Sequence, residues 1–78
     1  MLFLIEYDRN QGRIVTLRSF LDSDKETAEE SRLDLELNLN LRGVENEVVL
    51  LDAATEDALR RTHRRYFEEL AELATGPA

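Results

Sequence analysis

The residues of this 78-residue chain best equipped for chemistry sit in one stretch, Leu59-Arg60-Arg61-Thr62-His63-Arg64-Arg65-Tyr66-Phe67. Clustered guanidinium groups suit an anion (a phosphate, a carboxylated ligand or a nucleic-acid backbone), because each offers a rigid fork of donors that matches oxyanion geometry. An imidazole such as that of His63 can carry a proton near neutrality, and Tyr66 lies three residues on. On a helix the four arginines fill a sector about 140° wide. Leu59, Thr62, His63, Tyr66, Leu70 and Leu73 fill an adjoining sector that should face a core.

Ion pairing accounts for the same arginines without any ligand. Glu56–Arg60, Asp57–Arg61, Arg64–Glu68 and Arg65–Glu69 are all four apart, the spacing at which opposite charges meet on a helix. Each such exposed pair is worth only about 0.3–0.5 kcal/mol. Arg60, Arg61, Arg64, Arg65, His63 and Tyr66 therefore stand as a candidate anion- or partner-binding group, with a salt-bridged surface as the plainer account. A single histidine within an apolar stripe is read as a packed side chain, so no catalytic residue is assigned and a non-catalytic role is preferred to an enzymatic one.

Other chemistries are poorly provided for. The chain has no cysteine, which removes disulfides, thiolate metal sites and thiol nucleophiles, and its single histidine cannot build a multi-histidine zinc site. Ser19, Ser23 and Ser31 lie outside any nucleophile-elbow pattern. Gly12, Gly43 and Gly76 are isolated, so there is no phosphate-cradling loop. The Asp22-Ser23-Asp24-Lys25-Glu26 run lacks the glycine and distal glutamate of a calcium loop. No metal and no cofactor are expected.

The net charge is −7. Residues 22–57 carry twelve acids and three bases, whereas the flanking thirds are each slightly basic. An acidic middle disfavours nucleic acid as a partner, since binding to the phosphate backbone needs a basic surface. No apolar run approaches the roughly 20 residues of a membrane helix. Met1-Leu2-Phe3-Leu4-Ile5 meets Glu6 and Asp8 without a basic leader or cleavage site, so the expected compartment is the cytoplasm.

The elements that must position these groups follow from the apolar pattern. Residues 1–8 and 13–21 are two strands joined by Arg9-Asn10-Gln11-Gly12, whose Asn and Gly suit a turn. The first strand is apolar on both faces and belongs in the middle of a sheet. Ser23 followed by Glu26 has the spacing of a capping box, which predicts a helix over 24–42 ending at Gly43. Residues 46–52, with Val48-Val49-Leu50-Leu51, form a third strand. Thr55 then caps a final helix predicted to run to about Ala74.

Leu33 to Leu41 alternates like a strand, which leaves a four-stranded ββαββα arrangement as the alternative. Leu and Glu are good helix formers, however, and the segment has no β-branched or aromatic residue. The expectation is one α+β domain over 1–75 in the order ββαβα, with residues 76–78 a frayed tail. It would hold a three-stranded antiparallel sheet of order 2-1-3 with two helices on one face. On the helix, Ala28, Leu35 and Leu39 share one side, while Leu33, Leu37 and Leu41 share nearly the opposite side. A domain this small buries only about 60% of its unfolded surface. A second apolar stripe therefore points to a homodimer, with Leu33, Leu37 and Leu41 as the contact. The expected function is that of a small protein-interaction module; the alternatives are a small-ligand or anion-binding domain or enzyme using His63, Tyr66 and the arginines, and weak nucleic-acid association through the arginine face.

Overall fold

The computed structural model describes residues 1–67. Strands β1 (Leu2–Asp8) and β2 (Arg13–Phe20) form a hairpin. A 3₁₀ turn over Asp22–Asp24 leads into helix α1 (Lys25–Leu41). Strand β3 (Glu47–Asp52), helix α2 (Glu56–Thr62) and a 3₁₀ turn over Arg64–Tyr66 follow. The sheet is antiparallel with order β2-β1-β3, so the most apolar strand is central, as its composition predicts. Phe3 to Tyr7 are all buried.

The hairpin is held by its own turn chemistry. Asp8 Oδ1 accepts the backbone N–H groups of Asn10 (2.9 Å) and Gln11 (3.1 Å), and Gly12 N–H donates to the Asp8 carbonyl at 2.8 Å. Gly12 closes the turn at φ +67°, a conformation that costs glycine little because it has no Cβ. Beyond it the ladder slips. Glu6 pairs with Thr16 but Tyr7 pairs with Ile14, which leaves Val15 as a bulge, half exposed. The extra residue puts Ile14 and Leu17 on the same core-facing side, which strict alternation would not do.

Residues 33–41 are helical, so the four-stranded alternative is excluded. The helix begins differently from expectation. Ser23 lies inside the 3₁₀ turn, Asp24 is the N-cap residue, and no side-chain capping bond forms, so the Ser23–Glu26 box is absent. The other end is as predicted. Gly43, at φ +70°, donates to the Asn40 carbonyl (3.1 Å) and Val44 to that of Leu39 (2.9 Å), the paired bonds of a Schellman ending.

The two helices, expected on one face, are divided between the two faces of the sheet. Phe3, Ile5 and Tyr7 form one cluster with Leu59 of α2 and with Tyr66; Val49, Leu51, Ile14, Leu17, Ala53 and Phe67 pack around it. Side chains alternate along a strand, so Leu4 and Glu6 point the other way. There α1 packs against β3 and β1, burying Ala28 and Leu39. The apolar residues on both sides of β1 and β3 are the physical reason: each face needs its own cover.

Helix α2 is also shorter than predicted. It stops at Thr62, where His63 leaves helical geometry (φ −122°, ψ 50°) and the chain re-forms as a 3₁₀ turn. Thr62 Oγ1 bonds back to the Ala58 carbonyl at 2.9 Å, a local bond that competes with helix continuation. Residues 68–74 of the predicted helix and the predicted tail lie outside the described residues. At its start Thr55 Oγ1 accepts the Ala58 N–H at 3.1 Å, the cap the sequence predicts.

Candidate functional site

The break at His63 disperses the arginine sector that a continuous helix would have displayed. Arg60 keeps its expected partner, Glu56 (3.5 Å), and its guanidinium lies 4.6 Å from the centre of the Phe67 ring. Asp57 and Arg61 do not pair, and Arg61 is exposed. Arg64 is exposed on the 3₁₀ turn, where its carbonyl accepts the Phe67 N–H at 3.0 Å. The predicted partners Glu68 and Glu69 lie outside the described residues.

Arg65 and Tyr66 come together around a residue not singled out from the sequence, Glu47 at the start of β3. Tyr66 packs edge-on against Tyr7, with ring centroids 5.2 Å apart, and its hydroxyl donates a hydrogen bond to Glu47 Oε2. Arg65 Nη2 donates to the same oxygen at 2.6 Å and to the Tyr66 hydroxyl at 2.7 Å, with its guanidinium over the Tyr66 ring. Arg9, from the hairpin turn, donates to Glu47 Oε1 through Nε (3.2 Å) and Nη2 (2.8 Å). The Glu47 side chain is only 13% exposed.

The electrostatics follow from this geometry. The Tyr66 hydrogen bond, aided by Arg9 and Arg65, holds the Glu47 carboxyl below its ordinary pKa against the opposing effect of burial. Burial and the neighbouring carboxylate push the Tyr66 phenol up, with Arg65 opposing. Both groups are thereby moved away from neutrality. The arrangement clamps the chain after α2 onto β3.

His63 is half-buried, with its ring centre 6.4 Å from that of Tyr66, and its imidazole makes no hydrogen bond to a described residue. A second buried polar contact, also unforeseen, lies on the α1 side of the sheet. One Glu6 oxygen accepts from Thr16 Oγ1 (2.9 Å) and the other from Asn46 Nδ2 (2.7 Å). A glutamate inside the apolar run of β1 was the signal available for it. Among the described residues no group of three or more acidic or histidine side chains is placed to hold a metal ion. No described helix is long and apolar enough to cross a membrane.

Among the described residues, three exposed leucines lie together on α1. Leu33, Leu37 and Leu41 are 55, 58 and 79% exposed, on the side of the helix away from Ala28 and Leu39. Each follows the last by four residues, so together they make one ridge. Beside the inner edge of α1 an open groove of about 290 Å³ is lined by Glu36, Leu39, Asn40, Val44, Asn46 and Val48.

Fold and surfaces together define a small mixed α+β domain whose most distinctive exposed feature is apolar. Comparison with known protein families, with curated proteins and with solved structures finds no match.

Proposed function

We propose that this domain is a non-catalytic, cytoplasmic protein-interaction module that works as a homodimer, with Leu33, Leu37 and Leu41 of α1 as the contact. The single observation that carries the reading is the exposure of all three leucines in one line, opposite the side of α1 that packs on the sheet. Scattered exposed leucines need no explanation, but a contiguous ridge is a common mark of an association surface. Fully burying one exposed leucine stabilises by about 1.5–3 kcal/mol. Three contributed by each of two copies would supply the apolar centre of a modest interface.

An i, i+4, i+8 ridge favours packing against a like ridge at a crossing angle near −50°. The same side of the helix, toward its start, carries Glu26 and Glu30. An antiparallel crossing keeps these acids of the two copies apart, whereas a parallel one would oppose them. The alternatives have weaker support. A ligand site on His63, Tyr66 and the arginines must contend with a Tyr66 hydroxyl already engaged by Glu47 and Arg65. Nucleic-acid association must contend with Arg60 and Arg65 being paired to carboxylates.

Solution mass by light scattering over a concentration series tests the proposal. The expected result is a dimer that Leu37→Glu weakens by tenfold or more, about 1.4 kcal/mol or above. A wild-type chain that stays monomeric at high micromolar concentration overturns it.

A further inference from the structure

We infer that the outer edge of β3 is a second self-association surface, distinct from the leucine ridge, and that its occupant is β3 of another copy laid antiparallel. The two open edges of the sheet differ in a way that bears on this. Strand β2 carries the Val15 bulge and two exposed arginines, Arg13 and Arg18, the devices that blunt an edge against further pairing. Strand β3 has none of these. Its six residues pair with β1 in unbroken register, from Glu47 opposite Tyr7 to Asp52 opposite Leu2. Its centre, Val48-Val49-Leu50-Leu51, is uncharged and opens with two β-branched valines, and all four side chains remain half-buried. Among the described residues no strand lies on its far side. Every second N–H and C=O along that side therefore lacks a ladder partner, and an extended chain is what such a row recognises.

A second copy is favoured by charge. At the Glu47 end one carboxylate sits between Arg9 and Arg65, a net of one positive charge. At the Asp52 end, Asp52 and Asp22 share one cation, the Met1 amino group, a net of one negative charge. Antiparallel pairing of β3 with itself lays the positive end of each copy against the negative end of the other, and it does so twice. A two-fold axis normal to the sheet preserves its faces. Directly opposed residues must then share a face, which puts the centre of pairing on a residue rather than between two, and Val49 and Leu50 are the middle residues of the strand. The groove lined by Leu39, Val44 and Val48 adds apolar surface beside the strand on the α1 side.

The test uses the full chain with L33Q/L37Q/L41Q, so that the ridge cannot contribute. Its solution mass is followed from micromolar to millimolar concentration at low salt, with circular dichroism to confirm folding. The expected result is concentration-dependent dimerisation, accompanied by slowed hydrogen exchange at outward amides of residues 48–51. In that background Arg9→Glu makes the positive end negative, and Asp52→Lys makes the negative end positive. Each alone should weaken association about tenfold, and the two together should restore it. Raised salt should diminish these differences. A strictly monomeric triple variant, exchange independent of concentration, or a charge swap without rescue overturns the inference. The ridge is judged separately, by whether the wild-type chain associates more tightly than the triple variant.

Discussion

Replacing Glu47 by Gln tests the clamp most directly, because it removes the charge while nearly preserving shape. Three donor groups converge on this carboxylate: the Tyr66 hydroxyl, Arg65 and Arg9. A hydrogen bond to a charged group is worth about 1.5–3 kcal/mol when well sheltered. The guanidinium partners are mostly exposed, and pairs of that kind contribute only about 0.2–1 kcal/mol each. The sheltered bond from Tyr66 should thus dominate, and a loss of about 1–2 kcal/mol is expected for Glu47→Gln. Urea unfolding followed by circular dichroism measures it, and Tyr66→Phe completes a double-mutant cycle with a coupling near 1 kcal/mol. The pH dependence has a definite sign. The folded pKa of Glu47 is depressed, so its stabilisation is complete above the ordinary unfolded value and fades as pH falls from there through the folded value. The gap between wild type and Glu47→Gln should therefore be flat near neutrality and narrow in acid. Equal stabilities at pH 7, or additive effects of the two substitutions, would refute the assignment of Glu47 as the clamp.

Two further outcomes follow from the packing. Leu59→Ala, at a fully buried position beneath Phe3 and Ile5, should cost about 2–5 kcal/mol by thermal or urea unfolding. Gly43→Ala meets no steric obstacle within 4 Å but places a Cβ at φ +70°, so it should cost about 1 kcal/mol, with early fraying of α1 seen by hydrogen exchange.

What was legible in the sequence was mostly what neighbours in sequence decide. The Thr55 cap, the Gly12 turn and the Gly43 ending each depend on a few adjacent residues, and each forms as read. The helical state of residues 33–41 also follows from local propensity, despite its strand-like alternation. The misses share a different origin. Val15 bulges because β2 must match β1, and alternation within β2 carries no trace of that. The Ser23–Glu26 box gives way to a tighter turn on entry to α1. The placement of the helices on opposite faces was implied by β1, apolar on both sides, but β1 cannot say which helix covers which side. The stop at His63 brings Tyr66 to a carboxylate 19 residues earlier, a relation that no helical wheel contains. Of the candidate cluster, Arg65 and Tyr66 are joined, whereas Arg61 stands apart and Glu47, the centre of the contact, was overlooked.

The buried Glu6 has a role beyond satisfying its own oxygens. Its two donors come from different elements, Thr16 from β2 and Asn46 from the connection between α1 and β3. Slide β1 by one residue against its neighbours and the carboxyl group moves to the opposite face, among Leu59, Val49 and Leu51, where neither donor can follow. An unpaired buried carboxylate there would cost several kcal/mol. Apolar side chains on both faces of β1 would tolerate such a slip far better, since Leu4 and Ile5 could exchange sides at modest cost. Glu6 thus acts as a key cut for one alignment of three strands, placed in the strand whose greasiness would otherwise leave that alignment loosely defined.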